Sequence, residues 1–139
     1  MTSFLSQNVW GLKNKEKKVK LFQWLKSQEQ SFYFLQETHV NSKCKSVWEA
    51  EWDYLGFFSG NSSNSEGLAI LVNKKVPKNK IVCHTEILPG RLQALEVIIE
   101  NKPILLVNIY GPNKDNTLIF ERLNSFLLEN EDKYFIIAG

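Results

Sequence analysis

Three short stretches place polar side chains where an apolar run ends, which is the usual position of sites in layered α/β proteins. SQNVWGL holds Asn8, LQETHV holds Glu37, and LVNIYGPN holds Asn108, Tyr110 and Asn113. Glu37 is a potential oxygen ligand for a hard cation such as Mg²⁺, which usually takes one or two carboxylates together with waters and phosphate. The three stretches are therefore the candidates for a site, and together they are more specific than any one alone.

Each of these residues also has a purely structural interpretation. Asn8 could hydrogen-bond within its own turn, and Glu37 could be a surface carboxylate that follows a strand. Tyr110 could be a half-buried aromatic residue with its hydroxyl in water. His39 has no ligand partner at a suitable spacing, which favours a loop or hydrogen-bonding histidine.

Hydrophobic periodicity predicts a β-α-β unit, then several antiparallel strands, then an α-β unit. In the first predicted helix, from Lys15 to Gln28, an apolar stripe lies opposite the lysines. A second stripe predicts a helix before the last strand, which runs from Tyr134 to Ala138. The stripes contain Val19, Leu21, Phe22 and Leu25 in the first helix, and Ile119, Phe120, Leu123, Phe126 and Leu127 in the second.

The element order predicts an α/β (α+β) fold with one mixed β-sheet and helices on one face. The central strands, such as the one that ends at Gln36, are apolar on both sides, and two amphipathic helices would cover only one of them. The other sheet face is then predicted to be apolar and uncovered. Such a patch predicts self-association through that face, or poor folding.

Length, composition, charge and cysteine count limit the classes of protein to which the chain can belong. The chain has 139 residues, 43% of them hydrophobic, which predicts one globular domain or part of one. Its net charge of +2 does not by itself indicate a nucleic-acid-binding protein. Five lysines between residues 13 and 20 form either a solvated helix face or a phosphate-facing rim. Two cysteines outside any metal-ligand spacing favour an intracellular protein with reduced thiols. No apolar run is long enough for a membrane span, so no membrane partner is expected.

One ordered set of motifs resembles a known family: QNVWGL, FLQETH, GLAILV, the pair Gly90-Arg91 before a strand, LLVNIYGPN and YFIIAG. The set is similar to the endonuclease/exonuclease/phosphatase superfamily, and within it to the apurinic-type endonuclease domains of LINE-type (non-LTR) retrotransposons. The resemblance implies half of a four-layer α/β/β/α sandwich. It also implies a reverse transcriptase-associated hydrolase that nicks DNA with Mg²⁺ or Mn²⁺, and therefore DNA as partner and a nuclear location.

The resemblance also implies a role for individual residues. Glu37 matches the metal-binding glutamate, and Asn8 matches an asparagine beside the metal. Tyr110 matches a catalytic tyrosine that reaches the scissile phosphate. Asn113 matches an asparagine that shapes the catalytic pocket and contacts the substrate. Arg91 matches a frequent arginine, here assigned to phosphate or DNA binding.

The sequence departs from the family pattern at its last residue. In the relatives, the strand that matches YFIIAG continues into G-D-F-N, whereas this chain stops at Gly139. We therefore expect residues 1–139 to be the N-terminal half of the domain, with weak metal binding and no nuclease activity alone. Two alternatives stay open. One is a non-catalytic nucleic-acid-binding remnant, which would use the lysines of residues 13–20 and of residues 74–80 with Trp10 and Tyr110. The other is a superfamily phosphatase acting on another phosphoester.

Overall fold

The structure is a computed structural model that describes residues 1–61, 65–111 and 117–139. These residues form an α/β fold, as the sequence predicted. The strands are β1 (Phe4–Asn8), β2 (Phe32–Gln36), β3 (Gly56–Ser59), β4 (Leu68–Val72), β5 (Ile81–Leu88), β6 (Leu92–Ile99), β7 (Lys102–Ile109) and β8 (Tyr134–Ala138). The helices are α1 (Lys15–Ser27), α2 (Lys45–Trp52) and α3 (Thr117–Glu129), and a short 3₁₀ turn covers Lys78–Lys80.

The strands form two four-stranded sheets, so the prediction of one mixed sheet was wrong. The first sheet has the order β1-β2-β4-β3 and the second has the order β5-β6-β7-β8. In each sheet one pair of strands is parallel, β1 with β2 and β7 with β8, and the helix between them supplies the crossover. Apolar periodicity shows that a segment is a strand, but it does not show which strand it pairs with, and the error arose there.

The two sheets pack face to face around an apolar core. From the first sheet this core takes Phe32, Phe34, Ile70 and Val72, and from the second it takes Leu95, Val97 and Leu106. The inner face that was predicted to be uncovered is therefore buried by the second sheet, which removes the reason given for self-association through it. Self-association itself stays a prediction.

Helices cover the outer face of each sheet, which gives the four layers α/β/β/α. Phe22 and Leu25 of α1 pack with Trp48 and Trp52 of α2 over the first sheet. Leu123 and Phe126 of α3 pack against the second sheet. Within the described ranges, no helix is long and apolar enough to cross a bilayer.

Two details of the predicted helix stripes were wrong. In α1, Val19 is exposed and Lys18 is buried, because the Lys18 ammonium group reaches Glu51 on α2. In α3, Ile119 is buried whereas Phe120 is exposed. A stripe as wide as the predicted ones includes residues at the edge of the contact, and only the neighbouring layer decides which of them are covered.

Candidate functional site

Glu37 and Tyr110 meet across the gap between the two sheets. Glu37 directly follows β2 of the first sheet, and Tyr110 directly follows β7 of the second. The Tyr110 hydroxyl donates a hydrogen bond to Oε1 of Glu37, with 2.5 Å between the two oxygens. Two residues that lie 73 positions apart in the chain therefore occupy one site, at the end of the sandwich where β2 and β7 stop.

The surroundings of Tyr110 make its hydroxyl harder to ionise than that of an ordinary tyrosine. The hydrogen bond to Glu37 raises the pKa of Tyr110 to about 12, and burial and the negative charges of Glu37 and Glu66 act in the same direction. The positive charge of Arg91 acts against them. The phenol is a neutral hydrogen-bond donor at this edge, and the Glu37 side chain is its acceptor.

The backbone around the site is held in an unusual conformation. Glu37 and His39 have positive φ angles, 55° and 63°, in the left-handed region that non-glycine residues seldom adopt. Short backbone hydrogen bonds hold both residues, from Gly11 N to the Glu37 carbonyl and from His39 N to the Glu66 carbonyl, each at 2.7 Å. Backbone strain that the surrounding structure maintains is often found at functional sites.

Asn8 lies beside Glu37 but uses its side chain within its own turn. In the parallel pairing of β1 and β2, Asn8 is the register partner of Gln36, the residue before Glu37. Its Oδ1 atom accepts a hydrogen bond from the backbone N–H of Trp10 at 3.1 Å. Asn8 therefore hydrogen-bonds within its own turn, which is the structural interpretation given above, and it does so at a position next to Glu37.

Arg91 belongs to the same site through its backbone and through an ion pair. Its carbonyl accepts the Tyr110 N–H at 2.9 Å. Its Nε donates to Oε2 of Glu66 at 3.1 Å, and both side chains are partly exposed. Sequence reasoning did not select Glu66, because nothing in the sequence around it shows that Glu66 contacts Arg91, 25 positions later in the chain.

His39 packs against Gly11, which explains both residues structurally. Gly11 has a φ of +84°, and a Cβ added there would lie 2.6 Å from His39 Nδ1. A glycine is therefore required for the ring to sit this close to the turn after β1. Asn113 lies outside the described residues, so its assigned role stays a prediction.

The site offers an oxygen ligand for a cation, but the described residues do not complete a metal centre. In residues 1–61, 65–111 and 117–139, no group of three or more His, Cys, Asp or Glu side chains is arranged to hold a metal ion. Glu37 supplies one carboxylate, which is a suitable ligand type for Mg²⁺ or Mn²⁺. A cation at Glu37 would need waters, phosphate oxygens or other groups for the rest of its coordination.

Solved structures of other proteins share this four-layer arrangement. A humanized D. rerio TDP2 matches with a TM-score of 0.70 and 19% identity, over 99% of this chain and 65% of that one. The endonuclease domain of TRAS1, a telomere-specific non-LTR retrotransposon, matches with a TM-score of 0.67 and 10% identity, over 100% and 58%. An endonuclease/exonuclease/phosphatase family protein from Leptotrichia buccalis matches with a TM-score of 0.65 and 15% identity, over 100% and 67%. The chain has the endonuclease/exonuclease/phosphatase fold.

The four-layer fold that the resemblance of the sequence motifs implied is thus confirmed. The superfamily fold accounts for the two sheets and the helical layer outside each. No known family model matches the sequence. The Transposon TX1 uncharacterized 149 kDa protein of Xenopus laevis is 27% identical over 140 residues, which is 99% of this chain and 11% of that protein. The chain thus spans about a tenth of this relative and about two thirds or less of the solved structures above.

Proposed function

We propose that this chain is the N-terminal part of a Mg²⁺- or Mn²⁺-dependent phosphodiesterase of the retrotransposon type, which nicks a DNA strand. The observation that carries the proposal is the contact between Tyr110 and Glu37 at the end of the sandwich where β2 and β7 stop. The protonated phenol can donate a hydrogen bond to a phosphate oxygen, and the carboxylate beside it can bind the cation that accompanies the phosphate. The similarity to a transposon protein and to the endonuclease domain of a retrotransposon supports the choice of DNA.

In this proposal each residue of the site has one task. Glu37 is a ligand of the cation, which when bound polarises the phosphate and stabilises the leaving oxygen. Tyr110 stays protonated and donates a hydrogen bond to a phosphate oxygen. Arg91 is proposed to bind a phosphate of the DNA backbone with the guanidinium N–H groups that do not contact Glu66. Asn8 lies beside the cation, where its turn fixes the loop that hydrogen-bonds to Glu37, and Asn113 is proposed to contact the substrate.

We further propose that the polypeptide of residues 1–139 binds the cation weakly and does not cleave DNA by itself. Glu37 is the carboxylate that contacts Tyr110, while Glu66 is engaged with Arg91. A phosphodiesterase also has to activate water and stabilise developing charge, and losing such groups costs orders of magnitude in rate. The proposed partner is DNA, and the proposed location of the protein is the nucleus.

Metal binding tests the role of Glu37. Mn²⁺ titration followed by electron paramagnetic resonance should show a weak site in the wild-type chain and at least a tenfold weaker one in Glu37→Gln, because the change removes the anionic ligand. Glu16→Gln is the matched control, since Glu16 lies on the exposed surface of α1. Equal Mn²⁺ affinity in the wild type and in Glu37→Gln would overturn the assignment of the metal to Glu37.

A nicking assay on supercoiled DNA with Mg²⁺ tests the proposed inactivity, and robust cleavage by the pure chain would contradict it. The same preparation separates the alternatives. DNA binding that weakens steeply with salt but gives neither Glu37-dependent Mn²⁺ binding nor cleavage would favour a nucleic-acid-binding module without catalysis. Hydrolysis of a small phosphomonoester in place of DNA would favour a phosphatase.

A further inference from the structure

A continuous row of hydrogen-bonded polar side chains crosses the interior of the sandwich beside the site. We call it the amide chain, and its members in order are Ser6, Gln36, Asn108, Gln93 and His84. Gln36 Nε2 donates to Ser6 Oγ at 3.1 Å and to Asn108 Oδ1 at 2.9 Å. Asn108 Nδ2 donates to Gln93 Oε1 at 3.0 Å, and Gln93 Nε2 lies 2.9 Å from His84 Nε2. The link between Gln36 and Asn108 joins the two sheets.

The three amides of this row are buried and bind the backbone as well as each other. Gln36 is 3% exposed, and Asn108 and Gln93 are fully buried. The two hydrogens of Asn108 Nδ2 are shared among Gln93 Oε1 and the carbonyls of Leu35 and Ala69, and Gln93 Nε2 donates to the carbonyl of Phe57. Side chains of the second sheet therefore bind three backbone carbonyls on strands of the first sheet. These hydrogen bonds fix the position of one sheet relative to the other.

The apolar core alone does not define that position as sharply. Burial of the apolar side chains between the sheets is not directional, whereas a hydrogen bond needs a particular distance and angle. A buried amide that is displaced loses its hydrogen bonds, and an unpaired polar group is costly in the interior. The amide chain thus adds a directional constraint to the packing of the core.

Each buried amide lies one or two residues from a residue of the site. Gln36 directly precedes Glu37, Asn108 lies two residues before Tyr110, and Gln93 lies two residues after Arg91. Glu37 and Tyr110 come from different sheets, so their contact depends on how the sheets are placed.

We infer that the hydrogen bond between Gln36 and Asn108 positions the Glu37 carboxylate against the Tyr110 hydroxyl, which makes both amides positioning residues of the site. The inference concerns the geometry of the site and does not depend on whether the site cleaves a phosphodiester.

The test follows the Tyr110 hydroxyl proton by NMR in the wild type and in Gln36→Met, which keeps the side-chain length and removes the amide. The signal is assigned in each protein by its loss on Tyr110→Phe. A hydroxyl proton held in the hydrogen bond to Glu37 exchanges slowly with water and gives a resolved signal. We expect Gln36→Met to lose this signal.

Leu106→Ala is the matched control, because it removes inter-sheet core contacts without touching the amide chain. It should lower thermal stability and keep the hydroxyl signal of Tyr110. Asn108→Leu is the second variant, and it should act in the same direction as Gln36→Met.

A folded Gln36→Met protein that keeps the wild-type hydroxyl signal of Tyr110 would overturn the inference. An equal change in Leu106→Ala would overturn it too, because general loosening would then be enough. Loss of the folded state in both amide variants would also count against it, since the amides would then hold the whole sandwich and not the site in particular. None of these results would alter the Mn²⁺ result at Glu37, so this inference and the proposed function fail separately.

Discussion

At the scale of single residues, the direction of one hydrogen bond shows the protonation state of His84. Gln93 Nε2 donates to the carbonyl of Phe57 and also lies 2.9 Å from His84 Nε2. An amide nitrogen can only donate, so His84 Nε2 accepts and the ring is neutral. Burial lowers the pKa of His84, and although nearby Glu86 favours the protonated ring, the charge of Lys45 adds to the lowering.

The prediction at this scale concerns how the free energy of unfolding depends on pH. A histidine whose pKa is lower in the folded state takes up its proton more readily in the unfolded state, so folding stability falls as the pH drops below about 6.5. Replacing His84 by Gln should reduce this loss between about pH 7 and pH 5, measured by urea unfolding at a series of pH values. Cys83→Ser, at an exposed neighbouring position on β5, is the control and should keep the wild-type slope. An unchanged slope in His84→Gln would show that the ring is not held neutral.

At the scale of the elements, a buried ion pair joins the two helices over the first sheet. The Lys18 ammonium on α1 lies 2.8 Å from Oε1 of Glu51 on α2, and it also lies 4.2 Å from the centre of the Trp48 ring. Lys18 is 5% exposed, so its charge is largely removed from water and depends on these partners. One lysine of the N-terminal run therefore serves helix packing and is not available to DNA.

Removing one partner of this pair should be much more harmful than removing both. We expect Glu51→Gln to lower the free energy of unfolding by about 3 kcal/mol, because it leaves the Lys18 charge buried without a counter-charge. The double change Lys18→Met with Glu51→Leu should recover most of that loss, as measured by urea unfolding. The control is Glu16→Gln, which breaks an exposed pair with Lys20 and should cost less than about 1 kcal/mol. Similar losses in Glu51→Gln and Glu16→Gln would show that Lys18 is effectively solvated.

At the scale of the whole molecule, the exposed apolar surface lies outside the sheets and not between them. β8 ends the second sheet, and in the described part of the chain no strand pairs with its outer edge. Ile137 on this strand is exposed, as are Leu118, Phe120 and Leu128 of the adjoining helix α3. An unpaired strand edge with apolar side chains is a common site of association.

Self-association is therefore predicted to occur at the edge of the second sheet. Sedimentation velocity should show concentration-dependent association of the wild-type chain, and Ile137→Lys should weaken it, since a lysine on an edge strand opposes pairing. Val47→Lys is the control, because Val47 is an exposed apolar residue on α2, away from β8. A wild-type chain that stays monomeric at all concentrations tested would contradict the prediction.

The sequence by itself determined the local elements and the identity of the polar residues that end them. The first helix, the strand that ends at Gln36 and the last strand were predicted close to their observed bounds, because side-chain periodicity and strand-ending residues are local properties of the chain. The motifs were also sufficient to predict the superfamily fold.

Only the tertiary structure decided which elements face each other. The division of the strands into two sheets, the contact between Tyr110 and Glu37, the ion pair of Glu66 with Arg91 and the amide chain all join residues far apart in sequence. Nothing local in the sequence encodes these pairings, because they follow from the packing of all the layers together. The chain carried the chemical groups of a site in its order of residues, and the packing of one sheet on the other brought them within hydrogen-bonding distance.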